Sequence, residues 1–184
     1  MNNGLIAARY ATALLGFANQ SAFAERVYLE AKAVTNSYFQ FGQLRTVLDN
    51  PVMPIGQKRE IILLAGGGKA STIFEQFIDL VLQNKREVHL QAIMLKYIDL
   101  YRKQKNIHSG KLITATNVES TTEKRLISMI EMQTGGTVEI EKVVDPTILG
   151  GFLFEVDFVR MDASLAGQLQ RIKSEYLDKN QKRA

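Results

Sequence analysis

The chain has 184 residues, 46% of them hydrophobic and 23% charged, which suits one large folded domain or two small ones and excludes a disordered chain. It has no cysteine, which excludes a disulfide framework, a thiolate metal site and a thiol nucleophile. The formal net charge of +4 is uneven: 13 Lys and Arg stand against 8 Asp and Glu up to Asn106, and 10 against 11 from Ile107 onward.

The longest apolar stretches, such as Ile61-Ile62-Leu63-Leu64-Ala65, fall well short of the roughly 20 residues a spanning helix needs. Met1-Asn2-Asn3-Gly4 carries no positive charge ahead of apolar residues and does not read as a secretory signal. The expectation is a cytoplasmic chain that works at a membrane only if something else holds it there.

Up to residue 106 nearly everything repeats at helical spacing. Leu5, Ile6, Tyr10, Ala13, Leu14 and Phe17 mark a first helix, and Val27, Ala31 and Val34 lie on a second over about 22–38. A third covers about 40–48 before Asp49-Asn50-Pro51 breaks the chain. Pro54 suits the first turn of a fourth helix running to Ala65, which Gly66-Gly67-Gly68 stops. Thr72 and Glu75 form a capping box for a fifth helix to about Asn84. Leu90, Ile93, Met94, Tyr97, Ile98 and Tyr101 give the sixth an unbroken stripe.

Beyond residue 106 the period changes. Lys111 to Val118 reads as a strand, and Ser120 with Glu123 opens a helix that ends at Gly135-Gly136. Val138, Ile140 and Val143-Val144 suggest another strand, while 152–156 and 158–161 suggest a hairpin. A long polar helix starts at Ser164. The fold class is therefore mainly α: a six-helix bundle over 1–106, followed by a small α+β domain over 107–184.

Several apparent sites fail on their chemistry. Gly66-Gly67-Gly68-Lys69 lacks the earlier glycine and the following Ser or Thr of a phosphate-binding loop, since Leu63 and Ala70 stand there. His89 and His108 have no ligand cluster at metal spacing. Asn19-Gln20-Ser21 matches a glycosylation acceptor, but carries nothing without a signal peptide. Glu155, Asp157 and Asp162 could be offered as an acid/base pair, but Glu155 and Asp157 flank a hairpin turn, where solvated carboxylates are routine. The excess of basic residues leaves a basic RNA-binding protein as the alternative reading, although they are scattered as single charges on helix backs.

Two stretches carry a family resemblance. Val144 to Phe154, containing the Gly150-Gly151 pair, is followed by Met161-Asp162-Ala163-Ser164 and then Leu165, Leu169 and Ile172 at helical spacing. This resembles the signature of the delta subunit of F-type ATP synthases, the family of the mitochondrial oligomycin-sensitivity protein. Ala8-Arg9-Tyr10-Ala11-Thr12-Ala13-Leu14 resembles that family's opening helix, and Asn50-Pro51 before the helix bearing Lys58 is a weaker match. The chain departs from the pattern at Asp157 and Ala163, where the family usually has glycine, and at Phe158 and Val159, where it has charged residues. The physical roles expected in the signature are structural. Gly150 and Gly151 permit a turn or a close approach, and Asp162 or Ser164 caps the last helix.

The resemblance implies a non-catalytic stator subunit with no cofactor, no metal and no bound nucleotide. The first domain would bind the N-terminal helix of an alpha subunit of the catalytic head, and the second the b subunits of the peripheral stalk. The location implied is the cytoplasmic face of the bacterial plasma membrane, through the complex alone, with no nucleic acid partner. On a helical wheel Ile73, Phe74, Phe77, Ile78, Leu80, Val81 and Leu82 spread over roughly 200° of the fifth helix, more than one core contact requires. That excess and the resemblance together place the alpha-subunit contact at Tyr10, Ala13, Phe17, Gln76 and Leu80, between helices one and five.

Overall fold

The computed structural model describes residues 3–117, 120–156 and 159–181. The chain is mainly helical with a small mixed four-stranded sheet. It divides into two compact units, Met1–Lys105 and Asn106–Ala184.

The first unit contains α1 (Asn3–Gln20), α2 (Ala24–Gln40), α3 (Gln43–Asp49), α4 (Ile55–Ala65), α5 (Thr72–Gln83) and α6 (Leu90–Lys105). Its core forms around α6, which packs against both α1 and α2. The stripe read from the sequence is the buried face: Leu90, Ile93, Met94 and Tyr97 are all fully enclosed. Burial pushes the Tyr97 hydroxyl pKa well up, and the hydroxyl donates to the Ala24 carbonyl at 3.0 Å, so this buried donor is paired. Tyr101 stacks on Tyr28 with ring centroids 4.5 Å apart. The face that α1 turns inward is small: Ala7, Ala11, Leu14 and Ala18 are buried. Alanines at this spacing leave no bulk between backbones, so α1 lies close against its neighbour.

Element boundaries differ from the sequence reading where packing overrides local signals. Ser71, not Thr72, caps α5: its hydroxyl accepts from the Phe74 amide at 3.3 Å. Glu75 does not close a box, because its carboxylate accepts from Arg59 of α4 instead. Pro54 stands at the N-cap of α4 and not inside its first turn, and its carbonyl accepts from the Gln57 and Lys58 amides. At the other end of α4 the Gly68 amide donates to the Leu63 carbonyl, so the glycine run is a helix terminus. A single 3-10 turn over Glu87–His89 precedes α6.

The second unit contains β1 (Ile107–Thr114), α7 (Ser120–Thr134), β2 (Thr137–Val144), β3 (Phe152–Val156), β4 (Val159–Asp162) and α8 (Leu165–Gln181). The sheet order is β2-β1-β3-β4, with β1 parallel to β2 and the other pairs antiparallel. β1 begins at Ile107 and not at Lys111, because His108, Ser109 and Gly110 are paired with Val138, Glu139 and Ile140. Alternation puts Gly110, Leu112 and Thr114 on the buried side of β1. Leu112, Val138, Phe154 and Val156 form the core with Ile130 of α7. The expected turn at Asp157 and Phe158, and the side chains of the Ser120–Glu123 box, lie outside the described residues.

Candidate functional site

Two helices of the first unit leave an open trough between them. α1 is held by its alanine face, which leaves Tyr10 half-buried and Ala13 and Phe17 exposed along its flank. α5 buries Ile73, Phe74, Phe77, Ile78, Val81 and Leu82, so deep packing accounts for most of its wide apolar arc. Leu80 is the exception, at 48% exposed, and Phe17 across from it is 45% exposed. Between the helices lies a cavity of about 570 Å³.

All five residues expected at a partner contact line this cavity: Tyr10, Ala13, Phe17, Gln76 and Leu80. Leu14 and Phe77 form its buried floor, and Tyr10 meets Phe77 edge-on at 6.3 Å and 74°. Arg9 and Asn84 complete the lining, and the sequence reading missed both. Their signal was spacing: Arg9 continues the Ala13, Phe17 ridge by one i,i+4 step, and Asn84 continues the Gln76, Leu80 ridge likewise. Asn84 Nδ2 also donates to the Leu80 carbonyl at 2.8 Å, closing the end of α5.

The lining offers apolar area with polar groups at the margins. Among the described residues it contains neither a carboxylate nor a histidine, and no group of three His, Cys, Asp or Glu stands together anywhere to hold a metal. No described helix is long and apolar enough to cross a membrane. An elongated apolar trough between two helices suits an amphipathic helix laid along it.

The signature residues of the second unit meet at the start of α8. Ser164 caps the helix, its hydroxyl accepting from the Gly167 amide at 3.0 Å. Asp162 accepts from the Ser164 amide at 2.9 Å and from its hydroxyl, and these bonds hold the Asp162 carboxyl below the usual carboxylate range. The structure thus gives the cap to Ser164 and makes Asp162 its brace. Gly151 has φ +73°, and a β-carbon on it would lie 2.2 Å from the Ala163 carbonyl oxygen. A β-carbon on Gly150 would meet the Leu165 side chain at 2.7 Å. Both glycines therefore serve a close approach of the β3 entry to the α8 start. The Glu155 and Arg160 side chains on the hairpin are solvated neighbours 3.5 Å apart.

Together these features define the class: a helical unit bearing an open apolar trough, joined in one chain to a small α+β unit with a braced helix start. The family model for the ATP synthase delta (OSCP) subunit matches residues 6–176. The ATP synthase subunit delta of Phocaeicola vulgatus is 42% identical over 180 residues, covering 97% of this chain and 97% of that protein. That of Bacteroides thetaiotaomicron is 42% identical over 184 residues, covering 99% of each. A chain in the cryo-EM structure of the Toxoplasma gondii mitochondrial ATP synthase hexamer shares the fold, with a TM-score of 0.64 at 21% identity, over 93% of this chain and 97% of that one. The chain belongs to the ATP synthase delta (OSCP) subunit family.

Proposed function

We propose that the chain is a non-catalytic stator subunit that ties the catalytic head of an ATP synthase to its peripheral stalk. The first unit, acting as a six-helix bundle, holds the N-terminal helix of an alpha subunit in the trough between α1 and α5. The second unit engages the b subunits. The chain sits at the cytoplasmic face of the bacterial plasma membrane through the complex alone. The observation that carries this reading is the convergence of Tyr10, Ala13, Phe17, Gln76 and Leu80 on one apolar cavity.

Energetics favour a groove over surface charge. A joint of nanomolar affinity needs about −12 kcal/mol. Surface ion pairs supply about 0–1 kcal/mol each. Apolar area contributes about 25 cal/mol per Å², before the costs of association, so one helix buried along its length meets the demand. The basic RNA-binding alternative fares worse, because basic groups of the first unit are scattered singly and several are already engaged. Arg26 pairs with Glu30, Lys58 with Glu87, Arg59 with Glu75 and Asp79, and Lys96 with Asp99.

Calorimetric titration of the full chain with a synthetic alpha-subunit N-terminal peptide tests the head contact. Submicromolar binding with a negative heat-capacity change is expected. Absence of heat up to millimolar peptide overturns it. Capture from native membranes with a tagged chain tests the stalk contact, since b subunits should be retained together with alpha.

A further inference from the structure

α5 forms one wall of the trough and meets α1 in the Tyr10–Phe77 ring contact. Six buried apolar side chains set its rotation, and its start is held separately. At its start lies Glu30 of α2, only 2% exposed. The Glu30 carboxylate accepts from the Ser71 amide at 2.6 Å and from the Ser71 hydroxyl at 2.8 Å, while Arg26 Nε donates to it at 3.2 Å. Ser71 in turn caps α5 through Phe74. Arg26 also donates to the Lys69 carbonyl at 2.7 Å, so one turn of α2 grips the whole segment leading into α5.

A second hold comes from α4, where Arg59 reaches Asp79 at 2.7 Å and Glu75 at 2.9 Å. These groups are 35–41% exposed, and pairs of that kind contribute little. The buried carboxylate is different. Charge-assisted bonds in a low-dielectric site are strong, and leaving one partner alone there is costly.

Thr72 offers an equivalent cap one residue later, and the sequence alone favours it. With that cap the first turn of α5 would lose its hydrogen bonds to α2. We infer that Glu30 is a positioning residue for the groove: by binding the Ser71 amide and hydroxyl it anchors the start of α5 against α2. The rotation of α5 follows from its buried apolar face, and the anchor fixes how far Gln76 and Leu80 stand from Tyr10 and Phe17. The assignment rests on the proposed helix-binding role, since it concerns the same trough.

The absence of cysteine from the chain allows spin labels at two introduced cysteines, T12C on α1 and Q83C on α5, both exposed and outside the lining. The labelled wild type should give one narrow distance. E30A should broaden or shift it and weaken alpha-peptide binding about tenfold when measured well below its melting temperature. E30Q keeps the shape, its oxygen accepting from the Ser71 amide and its Nε2 donating to the Ser71 hydroxyl oxygen, and should restore the narrow distance and binding to within about twofold. If E30A does not fold, S71A carries the same test with a smaller lesion. An E30A or S71A variant that melts lower but keeps the wild-type distance and affinity makes the residue purely stabilising and overturns the inference. If the wild type binds no peptide while E30A still shifts the distance, the positioning stands and the helix-binding role falls.

Discussion

Lys58 Nζ stands 2.7 Å from Glu87 Oε1, joining α4 to the turn ahead of α6, and the lysine is only 4% exposed. The other Glu87 oxygen is buried with no hydrogen-bond partner among the described residues. A buried pair of this kind is worth little over apolar replacements, but breaking it strands a charge. Lys58→Met alone should therefore cost about 3 kcal/mol in urea unfolding. The double variant K58M/E87M should recover more than half of that loss. A double-variant loss equal to the sum of the K58M and E87M losses would show that the charges are not coupled.

The same pair predicts a response to acid. Burial pushes the Glu87 carboxyl up, but the bond from Lys58 and the nearby positive charges outweigh it and hold the carboxyl below its usual value. A group lowered in the folded state contributes stability above its unfolded pKa, about 4.3, and loses it as pH falls through the lower folded value. Wild type should thus lose stability below about pH 4.3 more steeply than Glu87→Gln. The two curves should be furthest apart near neutrality and converge in acid. Parallel curves in denaturant titrations at pH 7, 4 and 3 would rule this out.

Ala13→Asp and Leu80→Asp test the trough directly. Both positions are exposed in the free chain, so neither substitution should lower the melting temperature appreciably. Against a docked apolar helix each charge would be desolvated, and alpha-peptide affinity should fall by at least about 2 kcal/mol. Folded variants that bind as tightly as wild type would place the contact elsewhere.

The two signature glycines should differ in tolerance. Gly151→Ala sets a side chain at a left-handed backbone position and drives it into the Ala163 carbonyl, which cannot swing away. Gly150→Ala meets only the end of the Leu165 side chain, itself 49% exposed. The expected losses are at least about 2 kcal/mol and about 1 kcal/mol respectively. Differential scanning calorimetry gives the order, and the reverse order would contradict the geometry.

Residues 1–105 should fold alone. Every buried face of α1 to α6 finds its partners among those helices, with α6 packed on α1 and α2. A fragment ending at Lys105 should show helical circular dichroism and one cooperative melt. A broad, non-cooperative trace would tie its stability to the rest of the chain.

Helical elements were legible wherever one face repeats, as in α6, because burial follows a 3.6-residue period that the residues themselves display. The residues expected at a partner contact on α1 and α5 converge on a cavity, but the wide apolar arc of α5 is mostly core. Six of the seven apolar residues on its arc are core, and only Leu80 faces out. What local sequence cannot encode is contact between distant residues. Glu30 chooses Ser71 over Thr72 from 41 positions away, and the strand status of His108 to Gly110 depends on β2. The parallel pairing of β1 with β2 is of the same kind: each strand reads as a strand, but nothing local states the neighbour or the direction.

The place of β1 in the middle of its sheet has a consequence for how the chain is made. A ribosome delivers everything the helical unit needs once Lys105 has emerged, and helices with near neighbours close quickly. β1 follows at once, yet both strands that cover its edges lie downstream, the nearer of them ending at Val144. At about 5–20 residues per second, the strand waits several seconds with both rows of backbone groups unpaired. During that interval a second unfinished chain offers the same edges, and a strand so exposed is a template for pairing with it. Slow or stalled synthesis between Thr114 and Val156 is therefore when the nascent chain is most prone to aggregate, and the burden falls on the chaperones that meet it there.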